Sequence, residues 1–222
     1  MRRQDDQGHG THVAGTIAGT SYGVAKRANI IAVKILGRNG SGSTSKVLSG
    51  IVWTIAHSMS GGRSPLKSVA NMSLGGSYSR AINHAVEAAA AQGLTFVVAA
   101  GNDGEDASGY SPASSPDAIT VGATDPGDLR ASYSNYGSVV DVFAPGTRIV
   151  STWNTSPVAV HVLSGTSMAC PHVAGLAAYL IAQEGLSGPS SVSARIRALS
   201  QHGVVENPGP GSPNAFAWNG AA

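Results

Sequence analysis

Residues 95–102 read TFVVAAGN, and this stretch predicts the fold most directly. The apolar residues are continuous rather than alternating, which is typical of a strand buried on both faces of a parallel sheet. The predicted strand, Thr95–Ala100, is followed by a glycine and an asparagine, which end strands and leave backbone exposed. In open parallel sheets, ligands bind outside the carboxyl ends of the strands. We therefore expect Gly101 and Asn102 to lie at the edge of a binding site.

Four further apolar runs predict buried strands, and helical patterns separate them. Apolar residues recur at helical spacing from Val47 to Met59, and Ser79 can cap a helix that runs through Ala91. This alternation indicates right-handed crossovers, so the predicted fold class is α/β, a mostly parallel sheet flanked by helices. We expect residues 1–222 to form a single domain. The predicted strands are Ile30–Leu36, Val69–Leu74, Thr95–Ala100, Ala118–Ala123 and Val139–Phe143.

The composition excludes several classes of protein. Apolar residues make up 42% of the chain and charged residues 12%, with 29 glycines, which is typical of a compact, loop-rich globule rather than a disordered chain or a membrane span. The net charge of +2 includes no basic cluster longer than the pair Arg2 and Arg3, so nothing favours binding to nucleic acid or lipid. Cys170 is the only cysteine, which excludes an internal disulfide framework.

A serine lies where an apolar helix is predicted to begin. Residues 164–172 read SGTSMACPH, and because proline is tolerated in the first helical turn, Pro171 places Ser167 at or near the helix N-terminus. A hydroxyl there faces unpaired backbone N–H groups and the positive end of the helix dipole, an environment that stabilises a developing oxyanion. An ordinary capping serine fits the same position, so Ser167 by itself leaves both interpretations open.

Residues 8–15, GHGTHVAG, predict a second helix start and contain two histidines. His9 and His12 could bind a metal ion together with Asp6. No cysteine or further histidine lies nearby at ligand spacing, so we do not favour a metal site here. Asn102 is likewise open to a second interpretation, as a plain turn residue.

Three motifs in this order, GHGTHVAG, AAGND and SGTSMACPHVAG, resemble the subtilase family of serine proteases, and its proteinase K-like members most of all. The resemblance extends through YGVAK, NGSGS, SLGG, YSPAS, SNYGS, APGT and STW to NAFAWNG, and covers essentially the whole chain. It implies a serine endopeptidase that acts by acyl transfer, with His9 as general base and Ser167 as nucleophile. The side-chain amide of Asn102 would bind the oxyanion together with the Ser167 N–H.

The resemblance also implies how substrate and a cation are held. Two backbone segments would sandwich an extended peptide, and a third would line the first specificity pocket, with a broad preference for apolar or aromatic side chains. Catalysis would need no cofactor, but a structural calcium ion would bind the backbone oxygens of Pro116 and Ala118 and the carboxylate of Asp141. The implied substrate-binding residues are Gly40, Ser41, Gly42, Ser73, Leu74, Gly75, Ala99, Ala100 and Gly101.

The family implies a secreted monomer that acts on proteins or peptides, with an inhibitory propeptide as a possible partner. One part of its pattern is missing here, because subtilases carry an aspartate upstream of the histidine, in an Asp-Xaa-Gly motif. Only eight residues precede His9, and Asp5 and Asp6 match loop residues of the family rather than its catalytic acid. We therefore expect an N-terminally truncated chain that lacks the strand between Ile30–Leu36 and Val69–Leu74, which leaves open sheet edges.

Two alternatives to an active protease follow from the same residues. Without its aspartate the chain could be a catalytically inactive relative that grips peptides by strand addition at Gly40–Gly42 and Ser73–Gly75. The retained His9, Asn102 and Ser167 count against that function. An unrelated hydrolase of the nucleophile-elbow type is set aside, because Ala169 breaks its Gly-Xaa-Ser-Xaa-Gly pattern.

Overall fold

The structure is a computed structural model of the chain and describes residues 5–221. Helices and strands alternate along most of the sequence. The helices are α1 (His9–Ala18), α2 (Thr44–Ser58), α3 (Arg80–Ala90), α4 (Thr166–Glu184) and α5 (Pro189–Leu199), with short 3-10 helices at Pro65–Lys67 and Ala107–Gly109. The strands are β1 (Val69–Met72), β2 (Gly76–Ser77), β3 (Thr95–Ala99), β4 (Tyr110–Ser111), β5 (Ala118–Thr124), β6 (Val142–Pro145), β7 (Ile149–Thr152), β8 (Val160–Leu163), β9 (Gln201–His202) and β10 (Ala215–Phe216).

A six-stranded sheet in the order β1-β3-β5-β6-β10-β9 forms the centre of the fold. Strands β1, β3, β5, β6 and β10 run parallel to one another, and β9 runs antiparallel to β10 at the far edge. Two antiparallel pairs of strands, β2 with β4 and β7 with β8, lie outside this sheet. The predicted fold class, a mostly parallel sheet flanked by helices, is confirmed.

The central strand β3 separates two hydrophobic cores. Val97 and Ala99 pack with residues of α4 and α5, whereas Phe96 and Val98 pack with residues of α2 and α3. Successive side chains of a strand point to opposite faces, so this alternation places one helix layer on each face of the sheet. All five residues of β3 are buried, as its continuous apolar sequence predicts.

One predicted strand, Ile30–Leu36, does not form. A strand requires a neighbour that accepts and donates its backbone hydrogen bonds, and within residues 5–221 strand β1 pairs only with β3 and leaves its other edge free. The segment still packs against α2, because a Cβ atom at Gly50 would lie 2.6 Å from Cγ2 of Ile35. Ile30 and Ile31 are 47% and 46% exposed. The described chain thus has the free edge and exposed apolar residues that a missing strand would leave.

The predicted strand Val139–Phe143 begins three residues later than expected, at Val142. The reason is a turn, since the N–H of Val140 donates to the carbonyl of Gly137 and is not available to a strand neighbour. The helix expected after Ser79 begins where predicted, with the Ser79 hydroxyl accepting from the Ile82 N–H. Among the described residues, no helix combines the length and the apolar character that crossing a membrane requires.

A buried glycine of β5 offers a test of the packing between neighbouring strands. A Cβ atom at Gly122 would lie 2.4 Å from Cε1 of Phe143. We expect Gly122→Ala to lower the free energy of unfolding by roughly 1–3 kcal/mol, because the ring has to move within a close-packed core. Urea denaturation measures this difference. Gly109→Ala is the control, since a Cβ atom there meets no atom within 4 Å, and an equal loss in both variants would contradict the packing.

Candidate active site

Ser167 is the second residue of α4, at the helix N-terminus that the sequence predicts. Gly165 occupies the N-cap position and no side chain caps the helix, so the Ser167 hydroxyl does not serve as the cap. Backbone N–H groups in the first turn have no partner within the helix, and they carry the positive end of its dipole. Ser167 therefore lies where negative charge is stabilised.

The carbonyl of Ser167 is bound in an unusual way. Pro171 lies in the second turn rather than the first, and it has no N–H to donate to the carbonyl four residues earlier. The hydroxyl of Ser73, just past the end of β1, donates to that carbonyl instead at 2.8 Å. In return the Ser167 hydroxyl donates to the Ser73 carbonyl at 3.2 Å. This reciprocal pair fixes the start of α4 against the edge strand of the sheet.

Asn102 follows β3 and lies beside the start of α4. Its side-chain oxygen Oδ1 accepts hydrogen bonds from the N–H and the hydroxyl of Thr166, at 2.8 Å and 2.9 Å. The Nδ2 group of Asn102 has no acceptor among the described residues, so its N–H groups are available to a ligand. Oxyanion stabilisation requires such a fixed and otherwise unused donor, and Thr166 provides the fixation.

Asn135 is a positioning residue that the sequence analysis missed. Its side chain is fully buried, and its Oδ1 accepts from the N–H groups of Asp103 and Glu105, each at 3.0 Å. Its Nδ2 donates to the Ala100 carbonyl at 3.1 Å, in space left free by Gly101, which has a φ of +106°. Asn135 thereby fixes the loop that carries Asn102. The motif SNYGS contains it, but nothing in that motif indicates this contact.

His9 is the first residue of α1, and its side chain is partly buried. Burial lowers the pKa of its imidazole, the nearby His12 lowers it further, and the charge of Asp5 opposes both effects. The imidazole is therefore neutral at neutral pH, as a general base has to be. Within residues 5–221 it makes no side-chain hydrogen bond, either to Ser167 or to a carboxylate.

The two aspartates nearest to His9 in sequence have other partners. Asp5 accepts hydrogen bonds from the N–H groups of Gln7, Gly8 and Thr11 and from the Thr11 hydroxyl, so its carboxylate organises the start of α1. Asp6 pairs with Lys34 at 2.6 Å on the surface. Neither carboxylate orients the His9 imidazole.

His12 is fully buried, and one of its ring nitrogens has two backbone partners. Its Nε2 lies 3.0 Å and 3.2 Å from the carbonyl oxygens of Ile149 and His161, so Nε2 carries the proton and donates. The other ring nitrogen, Nδ1, has no hydrogen-bond partner among the described residues. Across the described part of the chain, no group of three or more histidine, cysteine or acidic side chains is arranged as a metal site.

A cavity of about 440 Å³ opens beside Ser167 and Asn102. It brings together five of the predicted substrate-binding residues. Two of the remaining four lie elsewhere for clear reasons, since Ser73 is buried against α4 and Ser41 belongs to a turn in which its carbonyl accepts from the Gly37 N–H. Gly40 and Gly42 lie in the same exposed loop before α2 and do not line the cavity. The predicted residues that line it are Leu74, Gly75, Ala99, Ala100 and Gly101.

Cys170 packs beneath this site rather than in it. It is completely buried, and its Sγ lies 3.2 Å from Oδ1 of Asn71 and 3.3 Å from the carbonyl of Val97. Burial raises the pKa of the thiol to about 12, so it is protonated and unreactive at neutral pH.

Comparison with known sequences decides the family. The profile described as "Subtilase family" matches residues 2–218 of this chain. The chain belongs to the subtilase family.

Named relatives of this subtilase are fungal proteases. It is 57% identical to "Subtilisin-like protease 2" of Pseudogymnoascus destructans, over 97% of this chain and 52% of the relative. It is 56% identical to "Alkaline protease 1" of Aspergillus clavatus, over 98% of this chain and 53% of the relative, and 52% identical to a "Cuticle-degrading serine protease" of Arthrobotrys oligospora, over 98% and 52%. This subtilase therefore spans about half the length of the curated relatives it matches.

A solved structure of a subtilisin-like proteinase has the same fold as this subtilase. A cold-adapted subtilisin-like serine proteinase superposes with a TM-score of 0.91 at 43% identity. The match covers 99% of this chain and 77% of that one. The parallel sheet and its helix layers are thus those of a subtilisin-like fold.

In the calcium site predicted for this subtilase, the carboxylate of Asp141 pairs with the guanidinium of Arg197. Burial raises the pKa of the Asp141 carboxyl, while one of its oxygens accepts from the Thr120 N–H at 2.8 Å and the other from the Arg197 guanidinium at 3.1 Å. Each oxygen keeps a second lone pair, but the positive charge of Arg197 beside the carboxylate opposes the binding of a calcium ion there. Calcium binding by Pro116, Ala118 and Asp141 stays a prediction.

The Asp5 carboxylate makes the stability of this subtilase sensitive to acid. Partial burial raises the pKa of Asp5, but hydrogen bonds from Gly8, Thr11 and Gln7 outweigh it and lower the pKa from 3.8 to about 2. A depressed folded pKa stabilises the protein above the ordinary value, and the contribution is lost as the pH falls from 3.8 to about 2.

We expect Asp5→Asn to lower the free energy of unfolding at neutral pH by about 1 kcal/mol, after solvent screening, and to flatten its pH dependence in that acid range. Urea denaturation between pH 2 and pH 6 measures both effects. Asp6→Asn is the control, because it removes an equal charge from an exposed pair. A matching change in the two variants would rule out the capping role of Asp5.

Removal of Arg197 should expose the Asp141 carboxylate to added cations. We expect millimolar calcium to raise the melting temperature of Arg197→Gln by roughly 3 °C more than that of the wild type, relative to chelator. Arg195→Gln is the matched control, since Arg195 lies on the same helix but pairs with Glu184. An equal response of the wild type and Arg197→Gln would show that Arg197 does not compete with calcium.

Proposed function

We propose that this subtilase is a serine endopeptidase that hydrolyses peptide bonds by acyl transfer. The observation that carries the proposal is the fixed amide of Asn102, held by Thr166 through its oxygen and free at its nitrogen, beside Ser167 at the mouth of a cavity. Nucleophilic catalysis on a carbonyl needs both an attacking hydroxyl and a donor for the oxygen that becomes negative. The relatives are named as proteases, and this supports peptide-bond hydrolysis as the reaction.

In the proposed reaction, the Ser167 hydroxyl leaves the Ser73 carbonyl and donates to His9 Nε2 when substrate binds. His9 takes the proton as Oγ attacks the peptide carbonyl, and the resulting oxyanion accepts from Asn102 Nδ2 and the Ser167 N–H. His9 then gives the proton to the leaving amine. Water repeats the sequence on the acyl-enzyme and releases the second product.

The proposal includes a carboxylate partner for His9 that residues 5–221 do not supply. A carboxylate that accepts a hydrogen bond from Nδ1 holds the imidazole in the correct tautomer. Loss of this carboxylate from a Ser-His-Asp triad lowers turnover by about 10⁴. Asp5 and Asp6 are committed to other contacts, so neither takes this role. We therefore expect the chain as given to be a slow hydrolase, with full activity in a protein that adds the carboxylate.

We further propose that the substrates are proteins or peptides, with a preference for apolar or aromatic side chains in the cavity. The alanine-lined wall from Ala99 to Ala100 supports that preference. The relatives include an alkaline protease and a cuticle-degrading protease, and these names support secretion of this subtilase. The proposal also includes three further properties. The protein acts as a monomer, an inhibitory propeptide regulates it, and calcium stabilises it.

Covalent labelling tests the nucleophile independently of turnover. We expect a fluorophosphonate probe to modify the chain at Ser167 alone, identified by peptide mass mapping, and Ser167→Ala to abolish the label. His9→Ala should slow labelling at least tenfold, because the hydroxyl loses its base. Since burial lowers the pKa of His9, the rate of labelling should hold to a lower pH than the ordinary histidine value of 6.5 before it falls.

Ser164→Ala is the control, because it removes a hydroxyl from an exposed residue of the same segment. A chain that binds peptides but takes no label at Ser167 would instead be an inactive peptide-binding relative. Labelling that is unchanged in His9→Ala would contradict the assignment of the base.

A further inference from the structure

The cavity beside Ser167 has an apolar wall and an acidic rim. Ala99, Ala100 and Ala113 line the wall, while Asp103 and Tyr110 lie on the rim. A side chain in the cavity can thus contact the buried methyl groups along its stem and the exposed carboxylate of Asp103 with its end. Alanine walls by themselves do not distinguish a charged side chain from an uncharged one of the same length.

Tyr110 is held rigidly on this rim. It belongs to β4, which pairs with β2 so that Tyr110 lies opposite Ser77, another residue of the cavity. Its hydroxyl donates to Oε2 of Glu105 at 2.9 Å. That hydrogen bond, together with the nearby negative charges of Asp103 and Glu105, raises the pKa of Tyr110 to about 12. Two carboxylates therefore converge on one neutral phenol.

The two carboxylates have no cationic partner in the described part of the chain. Its four ion pairs involve Asp6, Glu87, Glu184 and Asp141, and none includes Asp103 or Glu105. The backbone of the loop is nonetheless fixed, because Asn135 Oδ1 accepts from the N–H groups of both residues. Asp103 on the rim and Glu105, which reaches the rim through the Tyr110 hydroxyl, thus carry two negative charges on a loop whose backbone is fixed.

We propose that this rim makes the cavity accept side chains that combine an apolar stem with a cationic end, lysine and arginine, on the acyl side of the cleaved bond. The proposal rests on the proposed function and names a further part of its substrate class. Long basic side chains bury their methylene groups and keep the charged end in water, which matches an alanine wall below an exposed carboxylate. Asp103 and Glu105 are the specificity-determining residues, and the same charges disfavour acidic side chains.

Paired peptide substrates test the proposal. Two fluorogenic peptides differ only at the residue before the cleaved bond, where one has lysine and the other norleucine, which lacks the ammonium group but keeps the four-carbon chain. We expect the ratio of kcat/KM, lysine to norleucine, to fall roughly fivefold in Asp103→Asn or Glu105→Gln and further in the double variant. The wild-type ratio should also fall as salt is raised, because salt screens exposed charges.

Two variants separate charge at the rim from other effects. Asp103→Glu keeps the negative charge and should keep the ratio. Asp128→Asn removes the same charge from an exposed turn outside the cavity, where asparagine tolerates the observed φ of +63°, and should leave the ratio unchanged.

Equilibrium binding separates this proposal from the proposed function. Fluorescence polarisation compares two labelled product peptides, one ending in lysine and one in norleucine, on the same set of variants. Absence of hydrolysis for every substrate would overturn the proposed function, and the binding ratio would still decide the role of the rim. A ratio that is the same in the wild type and in the double variant, for hydrolysis and for binding, would overturn the rim proposal.

Discussion

The hydrogen-bonded pair of Ser73 and Ser167 joins the two halves of the site. It exists because Pro171 cannot donate to the Ser167 carbonyl, so that a group from outside the helix has to do so. The hydroxyl of Ser73 comes from the end of β1, and the contact therefore sets the distance between the sheet edge and the first turn of α4. The cavity, the oxyanion donor and the nucleophile are arranged around that contact.

Much of this arrangement could be predicted from local sequence. Continuous apolar runs predict buried strands, and the glycine after β3 places Asn102 at the carboxyl edge, where the structure has it. The start of α4 near Ser167 was predicted for a reason that is only partly right, because Pro171 lies a turn deeper than expected. What makes it tolerable there is a hydroxyl 94 residues away in sequence, which no local pattern contains.

The features that could not be predicted share one physical cause, dependence on distant partners. Asn135 organises the loop at Asn102 through three hydrogen bonds that span 30 to 35 positions of sequence, and an isolated asparagine carries no sign of them. The predicted strand Ile30–Leu36, which does not form, also depends on a distant partner, here one that is missing. Its composition favours a strand, but strand formation is decided by whether a neighbour is present.

The free edge of β1 has a consequence for how molecules of this chain meet one another. Unpaired edges are templates for pairing with another chain, and β1 is not covered by a strand among residues 5–221. The residues that directly follow it, Leu74 and Gly75, line the cavity. A second molecule that pairs with this edge would extend into the path of an entering peptide.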